Sequence, residues 1–376
     1  MKKHNVVILR SGPVDPYPAV EKLTSALVEQ GFGVTVLAWD RNGDTDKEGV
    51  LQLAGGAASI VRFGIPATFS GGLRKNLLPL LRFQRKLLRW LRCHRDEYDV
   101  IHAFDLDTGL AAKYAARRWK KKLVYQIQDF YAACRCREGG TAYRALEKLE
   151  FSVVNFADAV TVCTEARKAQ LMGSRPKSLT VLHNAPRPIG KIEPMPLSGQ
   201  AVRIVYAGVL LEHRLLEELM DAVEADARFE LHIAGFGMLA DLVKSRAAAC
   251  GRIVFHGKLP YNEVLSLESA CHIMTALYDP AVANHRYAAP NKVYEAMMLG
   301  KPLLMCKNTG WDTVLAENGL GELIEYSRSG VEIGLKALMQ KRHLWEQTAQ
   351  RGRELYEREY NWEIMKGRIL EIYERF

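Results

Sequence analysis

The sequence predicts an α/β protein of two doubly wound domains, each built on a mostly parallel sheet with helices on both faces. Short and almost continuously apolar runs alternate with helical patterns along the chain, which is typical of strands that are buried on both faces. A proline-rich stretch at 185–200, APRPIGKIEPMPLSGQ, interrupts this alternation once. The length of 376 residues suits two domains of ordinary size better than one.

The N-terminal domain is predicted at 1–185, and it starts with the strand NVVILR (5–10) and a helix near 18–31. We expect further strands where β-branched residues cluster, and helices where apolar residues recur every three to four positions. The remaining predicted strands are 33–39, 59–64, 98–104, 122–128, 159–164 and 178–184, and the remaining helices lie near 75–95, 107–118 and 141–156.

A hinge is predicted at 186–200, and a second domain follows at 201–355. Its predicted strands are 202–208, 229–235, 252–257, 272–277 and 302–307, with helices between them and a helical segment near 342–374. We expect the last helix, 356–376, to cross back and pack on the N-terminal domain. Ligands of doubly wound sheets bind outside the carboxyl ends of the strands, so the active site is expected in a cleft between the domains.

Charge and cysteine content narrow the function classes. The formal net charge of +9 indicates an anionic partner: a nucleotide, a nucleic acid or a lipid surface. The seven cysteines have no metal-binding spacing and are expected to be reduced thiols of a cytoplasmic protein. The apolar run before Arg10 is too short for a signal peptide, and no run approaches the roughly 20 apolar residues of a membrane span.

The stretch APNKVYEAMMLGKPLL (289–304) carries the clearest chemical signal. Pro290 suits the first position of a helix, where free N–H groups bind anions. Lys292 and Glu295 lie three residues apart and therefore project from the same helix face. A phosphate would meet the helix start and Lys292, and the hydroxyls of an attached ribose would bond to Glu295. An internal Lys292–Glu295 pair on a half-exposed helix is the structural alternative.

Two other readings are weaker. Gly235-Phe236-Gly237 follows a predicted strand, but Ala240 takes the place of the third glycine of a dinucleotide motif, and the next strand does not end in an acidic residue. A dehydrogenase is therefore not supported. Nucleic acid is not expected as a partner, since no nucleic-acid motif accompanies the positive charge.

The segment PNKVYEAMMLGKPLL resembles the donor site of glycosyltransferase family 4, whose members are retaining enzymes of the GT-B fold with two Rossmann-like domains facing across a cleft. The residues that match the pattern P-x-K-x-x-E-x-M-x-x-G-x-P are Pro290, Lys292, Glu295, Met297, Gly300 and Pro302. The resemblance implies that Glu295 binds ribose and that the helix start binds the diphosphate. The donor-binding residues it implies are Gly208, Gly235, Gly237, Tyr287, Pro290, Asn291 and Val293.

Other segments resemble the same family. VRIVYAGVLLEHR (202–214) is similar to its glycine loop, and Arg214 falls on the position of a lysine. DVIHAFDLDTGLAA (99–112) and DPYPAVEKLTSALVEQGFGVTVL (15–37) resemble N-terminal segments of the family. The resemblance implies catalytic roles for His102, Asp129, Arg214, Lys292 and Glu295. It places Gly12 and Asp15 on the acceptor side, with His102 at a strand end beside the donor sugar or the reacting hydroxyl.

The implied reaction is transfer of a sugar from a nucleoside diphosphate sugar, of UDP or GDP type, to a hydroxyl of a saccharide or lipid-linked acceptor in surface polysaccharide or glycolipid synthesis. Neither a metal nor a further cofactor is expected, since helix starts and cations stabilise the leaving diphosphate. Three departures, Val209, Tyr287 and Gln128 in place of Arg, Glu and His, favour a non-catalytic partner subunit as an alternative. Another GT-B enzyme, an epimerase or inverting transferase, is a further alternative.

A basic amphipathic stretch at 73–95, LRKNLLPLLRFQRKLLRWLRCHR, and a second basic cluster at 117–122 lie in the N-terminal domain. Arginine and lysine mixed with leucine and tryptophan on one helix predict attachment to an anionic membrane surface. The expected location is the inner face of the cell membrane. A helix with a solvated basic face is the alternative.

Overall fold

The computed structural model describes residues 4–14, 17–68, 72–187, 192–197 and 200–376, without the side chains of 72–74. Two compact units make up the chain: Met1–His183 together with Met365–Phe376, and Asn184–Ile364. Each unit contains a mostly or entirely parallel sheet, as the α/β prediction requires. Asp15 and part of the predicted hinge lie outside the described residues.

The first unit contains eight strands in the order β3-β4-β2-β1-β5-β6-β7-β8. In chain order its elements are β1 (Asn5–Arg10), α1 (Pro18–Glu29), β2 (Gly33–Asp40), β3 (Lys47–Leu53), β4 (Gly56–Gly64), α2 (Gly72–Cys93), β5 (Val100–Phe104), α3 (Asp105–Trp119), β6 (Lys122–Ile127), α4 (Tyr131–Arg135), α5 (Thr141–Val154), β7 (Ala159–Val162) and β8 (Leu179–Val181).

Strand β3 was not predicted from the sequence. It pairs antiparallel with β4 at the edge of the sheet, and its first four residues are exposed. An exposed edge strand lacks the continuous apolar run that reveals a buried strand, and charged residues are common there. The other strand pairs of this sheet are parallel.

The second unit contains six parallel strands in the order β11-β10-β9-β12-β13-β14. Its elements are β9 (Val202–Val209), α6 (Leu216–Ala225), β10 (Phe229–Phe236), α7 (Ala240–Ala249), β11 (Ile253–Gly257), α8 (Tyr261–Ala270), β12 (Ile273–Ala276), α9 (Asn291–Leu299), β13 (Leu303–Cys306), α10 (Asp312–Asn318), β14 (Gly321–Ile324), α11 (Arg328–Gln340) and α12 (Trp345–Leu355). Helix α13 (Trp362–Tyr373) begins in this unit, and its residues from Met365 onward belong to the first unit. The short strand β14 was not predicted.

The C-terminal segment belongs to the first unit from Met365 onward. Arg368 on α13 donates from Nη1 to the carbonyl oxygen of Val181 at 2.9 Å. The hydroxyl of Tyr373, farther along the same helix, lies 2.7 Å from Nδ1 of His102 on β5. The returning segment starts later than the predicted residue 356, because Tyr356 packs in the core of the second unit.

No helix among the described residues combines the length and the apolar character that are needed to span a membrane.

Candidate functional site

Helix α9 has a well-supported start at the carboxyl edge of the second sheet. Pro290 is its N-cap rather than its first residue, with φ −68° and ψ 127°, and no side chain caps the helix. Asn184 donates from Nδ2 to the carbonyl of Ala289 at 2.8 Å, and Trp311 donates from Nε1 to that of Ala288 at 3.1 Å. The loop before α9 is therefore held by two side-chain hydrogen bonds. These bonds keep the N–H groups of the first helical turn in place for an anion.

Lys292 lies in the first turn of α9 and is almost completely buried. Its Nζ is 3.6 Å from the centre of the Tyr206 ring. A Cβ atom on Gly208 would lie in van der Waals contact with Nζ at 3.4 Å, so this glycine borders the ammonium near the end of β9. Burial and, next, the charge of the nearby Arg214 lower the pKa of Lys292 to about 7, against the opposing effect of Glu268 and Glu295.

This pKa predicts that binding of a nucleoside diphosphate weakens as the pH rises from 7 to 9. The diphosphate favours the charged ammonium, so the pKa of Lys292 is higher in the complex than in the free protein, and binding takes up a proton above pH 7. We expect the affinity to fall by up to about tenfold per pH unit in this range, where the charge of the diphosphate is constant.

Calorimetric titrations in two buffers of different ionisation enthalpy measure both the affinity and the proton uptake. The Lys292→Met variant serves as the control, because it is expected to show neither effect. A wild-type affinity that stays constant from pH 7 to 9 would show that Lys292 does not exchange a proton on binding.

Glu295 is 3% exposed and follows Lys292 by one turn of α9. The hydroxyl of Tyr261, the first residue of α8, donates to Oε1 of Glu295 at 2.9 Å. Both Lys292 and Glu295 are buried, so the half-exposed helix of the structural alternative is not what the chain forms. The carboxylate thus lies in an apolar helix with a neutral hydrogen-bond donor from a neighbouring helix.

Glu268 is a buried carboxyl group that the sequence analysis missed. It lies on α8, is 1% exposed, and its Oε2 has no hydrogen-bond partner within the described part of the chain. Burial raises the pKa of Glu268 well above its usual value; the charge of Glu295 adds to this effect and that of Lys292 opposes it. A glutamate within the apolar run VLSLESA was the available signal, and it is the same kind of signal that revealed Glu295.

Arg214 is held in a strained loop after β9. Its neighbours His213 and Leu215 have φ values of 63° and 48°, a left-handed conformation that costs energy for residues other than glycine. Its guanidinium carbon lies 4.3 Å from the centre of the Tyr278 ring, and Nη1 lies 2.9 Å from Nε2 of His285. The position taken by a lysine in the family pattern is therefore an arginine with a fixed orientation.

The ring of His285 supports Arg214 in one tautomer. Its Nδ1 lies 2.9 Å from the carbonyl oxygen of Asp279, so we assign the proton to Nδ1, which leaves Nε2 to accept from Arg214. Burial and the charge of Arg214 lower the pKa of His285 to about 4, which keeps the ring neutral near pH 7. No role for His285 was predicted from the sequence.

The predicted glycines lie at the ends of adjacent strands. Gly208 and Gly235 are the penultimate residues of β9 and β10, with φ values of 149° and 155°, and the two residues pair across the sheet. A side chain on Gly235 would overlap the carbonyl oxygen of Gly208. Gly237 follows directly after β10. A side chain on Gly237 would likewise overlap the backbone of Leu210, so Gly235 and Gly237 allow the close approach of neighbouring backbone at this edge.

The predicted donor contacts Val293, Tyr287 and Asn291 differ in how far their side chains are exposed, and Val293 departs from the expectation. The side chain of Val293 is 1% exposed and packs in the core, and its N–H donates to the carbonyl of Pro290 at 3.1 Å. Val293 thus supports the helix from inside. Tyr287 is half-buried and ends a short 3-10 turn, and Asn291 is exposed at the helix start.

In the first unit, the structure contradicts the placement of His102 at a strand end. His102 is the third of the five residues of β5 and is 1% exposed. Its Nε2 lies 2.9 Å from Oε1 of Gln126, and its Nδ1 contacts the Tyr373 hydroxyl. Burial lowers the pKa of His102 to about 4. A neutral ring with both nitrogens engaged inside the sheet favours a structural role over the catalytic one that the resemblance implies.

We therefore expect His102→Ala to lower stability and to leave the donor site intact. The variant leaves Gln126 and Tyr373 without their partner and opens a cavity, so the melting temperature should fall by roughly 5 °C or more. Differential scanning fluorimetry and nucleotide titration of the folded protein measure the two effects. An unchanged melting temperature with lost turnover would restore the catalytic role that the resemblance implied.

The other predicted residues of the first unit lie at the carboxyl edge of its sheet. Asp129 follows β6 with a side chain that is 60% exposed, and its carboxylate is 3.8 Å from the guanidinium of Arg167. Gly12 is buried in the loop after β1. Asp15 lies outside the described residues. Within the described chain, no group of three or more His, Cys, Asp or Glu residues is arranged to hold a metal ion.

Two family models match the chain. The first, a glycosyl transferase 4-like domain, matches residues 17–185, and the second, a glycosyl transferase-like domain, matches residues 212–370. The chain belongs to the family 4-like glycosyltransferases. No curated protein sequence matches this glycosyltransferase at a significant level.

Several solved structures share the fold of this glycosyltransferase. Sucrose-phosphate synthase from Thermosynechococcus elongatus has a TM-score of 0.76 and 15% identity, and the match covers 99% of this chain and 98% of that chain. Anabaena HepE in complex with UDP-glucose has a TM-score of 0.70 and 14% identity, with 99% and 100% covered. The catalytic domain of starch synthase IV from Arabidopsis thaliana, bound to ADP and acarbose, has a TM-score of 0.67 and 11% identity, with 100% and 99% covered. At these identities the similarity shows the GT-B fold alone.

Proposed function

We propose that this glycosyltransferase moves a sugar from a nucleoside diphosphate sugar to a hydroxyl acceptor with retention of the anomeric configuration. The observation that carries the proposal is the pair of buried side chains, Lys292 and Glu295, one turn apart at the uncapped start of α9. A buried cation and a buried carboxylate at this spacing suit a phosphate joined to a ribose. Their burial costs free energy that a purely structural helix would avoid.

The chemistry assigned to these residues is stabilisation of the leaving diphosphate. Lys292, Arg214 and the N–H groups at the start of α9 would meet the negative charge that develops as the bond to the sugar breaks. We propose that this positive charge is sufficient without a metal ion. Glu295 would accept hydrogen bonds from the two ribose hydroxyls and fix the nucleoside.

The complex of HepE with UDP-glucose supports a uridine diphosphate sugar as a donor here. We propose a UDP or GDP sugar, as the sequence analysis did. Tyr287, which takes the position of the first glutamate of the family pattern, is assigned to the donor sugar.

The test is a donor panel. UDP, GDP and ADP sugars are incubated with short saccharide acceptors, released nucleoside diphosphate is measured, and the configuration of the new glycosidic bond is read from its anomeric proton coupling by NMR. Transfer with retention supports the proposal. Inverted product would identify an inverting transferase. Nucleotide binding without any sugar transfer would favour the non-catalytic partner subunit.

We further propose that α2 holds the protein at the inner face of an anionic membrane, where a lipid-linked acceptor in polysaccharide or glycolipid synthesis is available. Three leucines on α2 are half exposed: Leu77 at 49%, Leu78 at 58% and Leu81 at 56%. Arg85 and Arg89 are exposed on the same helix. Apolar side chains flanked by arginine suit the boundary between lipid headgroups and acyl chains.

Neighbouring α3 extends this surface. Leu110 and Tyr114 are exposed on α3, together with Arg117 and Arg118. The rest of the predicted 117–122 cluster is partly engaged within the unit, since Lys122 lies 3.8 Å from Asp158. The arginines of α2 and α3 are therefore the groups we assign to anionic lipid.

We expect the double variant Arg85→Gln/Arg89→Gln to bind phosphatidylglycerol vesicles roughly 30-fold more weakly at low salt, since each cationic residue near such a surface contributes ~1 kcal/mol. Vesicle cosedimentation measures the partition coefficient. The charge-matched control is Arg137→Gln/Arg175→Gln, which removes two exposed arginines elsewhere in the unit. Equal loss in both variants, or no loss in either, would leave α2 as a solvated basic helix.

A further inference from the structure

A group of polar side chains at the carboxyl edge of the first sheet has no role in the assignments above. Asp107, in the first turn of α3 after β5, lies at its centre. The other members follow β1 and β2 or belong to α4. Ser11 donates from Oγ to Oδ2 of Asp107 at 3.0 Å, and the Tyr131 hydroxyl also bonds to this carboxylate. Arg41 donates from Nη2 to the carbonyl of Ser11 at 3.0 Å, and the guanidinium carbon of Arg135 lies 5.2 Å from the centre of the Tyr131 ring.

This group contains more positive than negative charge. Arg41 lies within electrostatic range of both Asp107 and Arg135, and neither arginine forms an ion pair within the described part of the chain. The third arginine nearby, Arg10, is already paired with Asp105 at 2.7 Å. Arg41 therefore faces Asp107 while Arg135 lies over the Tyr131 ring, and the Asp107 carboxylate also accepts two hydroxyl hydrogen bonds.

Arg41 is also incompletely satisfied. Its guanidinium packs at 4.5 Å over the Trp39 ring, and its Nε is buried without a hydrogen-bond partner within the described residues. The pKa of Arg41 is lowered from its usual value, mainly by burial. The positive charges of Arg135 and Arg10 lower it further, whereas the negative charge of Asp107 opposes the change. Cations that lie close together, partly desolvated and short of acceptors are a site for an anion.

We propose that Arg41 and Arg135 form an acceptor subsite that binds an anionic group, a carboxylate or a phosphate, carried by the acceptor saccharide. The assignment of this ligand as the acceptor rests on the proposed glycosyl transfer. Gly12, directly after Ser11, is buried, and a Cβ atom there would come no nearer than 4.0 Å to Nε of Arg10, so the glycine leaves space beside this group. Asp107, held by Ser11 and Tyr131, is placed to accept a hydrogen bond from a hydroxyl of the same sugar.

The test uses the full chain and three probes that share a glucose ring: methyl glucoside, glucuronate and glucose 1-phosphate. Saturation-transfer NMR gives the dissociation constant of each probe. We expect at least one anionic probe to bind about tenfold more tightly than methyl glucoside, and Arg41→Gln and Arg135→Gln each to remove about tenfold of this affinity. Preference for glucuronate or for glucose 1-phosphate tells whether the natural anion is a carboxylate or a phosphate.

Arg137→Gln is the matched control, because it removes an exposed arginine two residues beyond Arg135 and should leave every affinity unchanged. Lys292→Met separates this site from the donor site. Retention of anion binding in Lys292→Met and its loss in Arg135→Gln support the proposal. The reverse pattern would place the anion at the donor site, and equal affinity for charged and neutral probes would remove the subsite. Failure of this binding test and failure of the proposed transfer can be told apart, because the donor panel measures sugar transfer and not anion binding.

Discussion

The Glu295→Ala variant is expected to bind its nucleoside diphosphate about 30-fold or more weakly than the wild type. Two ribose hydroxyls would each lose a hydrogen bond to a charged, almost fully buried carboxylate, and such bonds contribute about 1.5–3 kcal/mol each. Inorganic pyrophosphate lacks the ribose, so its affinity should stay the same in this variant. Calorimetric titration with both ligands therefore separates the ribose contact from a general disturbance of the site.

Tyr261→Phe is the matched variant for this prediction. It removes the hydroxyl that donates to Glu295 in the free protein but keeps the carboxylate and the ring. Because the ribose hydroxyls supply new donors, nucleotide affinity should change by less than about threefold. Unchanged nucleotide affinity in Glu295→Ala, or an equal loss of pyrophosphate affinity, would contradict the assignment of Glu295 to the ribose.

Replacing Lys292 by methionine is expected to weaken both nucleoside diphosphate and pyrophosphate by about 100-fold without lowering the melting temperature. The ammonium is buried over Tyr206, and its depressed pKa shows that the folded protein disfavours the charge. Methionine has a similar length and fills the space with an apolar chain, so stability should be equal or higher. A charge-assisted contact to phosphate is lost at the same time.

Lys301→Met is the control for Lys292. Lys301 follows α9 directly and donates from Nζ to the carbonyl of Ser269 at 2.7 Å. Its replacement should lower the melting temperature because it leaves that carbonyl unpaired, and it should leave nucleotide affinity unchanged. A Lys292→Met protein that melts much earlier and binds pyrophosphate normally would make Lys292 a structural residue.

The parts of the site that the sequence could indicate are those that lie on one short segment. Lys292 and Glu295 are one helical turn apart, so their shared face follows from helix geometry alone. Tyr261, Glu268 and His285 come from other elements, and only the packing of α8 and the preceding turn against α9 brings them to the site. A single sequence contains no direct signal for such contacts.

The same limit explains the errors of placement. His102 is polar and close to the end of an apolar run, which favoured a strand-end position, but its partners Gln126 and Tyr373 lie 24 and 271 residues away. The pattern of β-branched residues revealed the buried strands of both sheets. It missed β3, which is an exposed edge strand, and β14, which has four residues of which three are partly exposed.

The measurement that tests the account most directly is a calorimetric titration of the wild type with UDP, GDP, ADP and NAD, each without and with magnesium. We predict saturable binding of one nucleoside diphosphate that does not depend on the metal, because Lys292, Arg214 and the start of α9 supply the positive charge. We predict no binding of NAD, because the sequence does not support a dinucleotide-binding motif. Binding of none of the nucleoside diphosphates, or binding only with magnesium, would contradict the account.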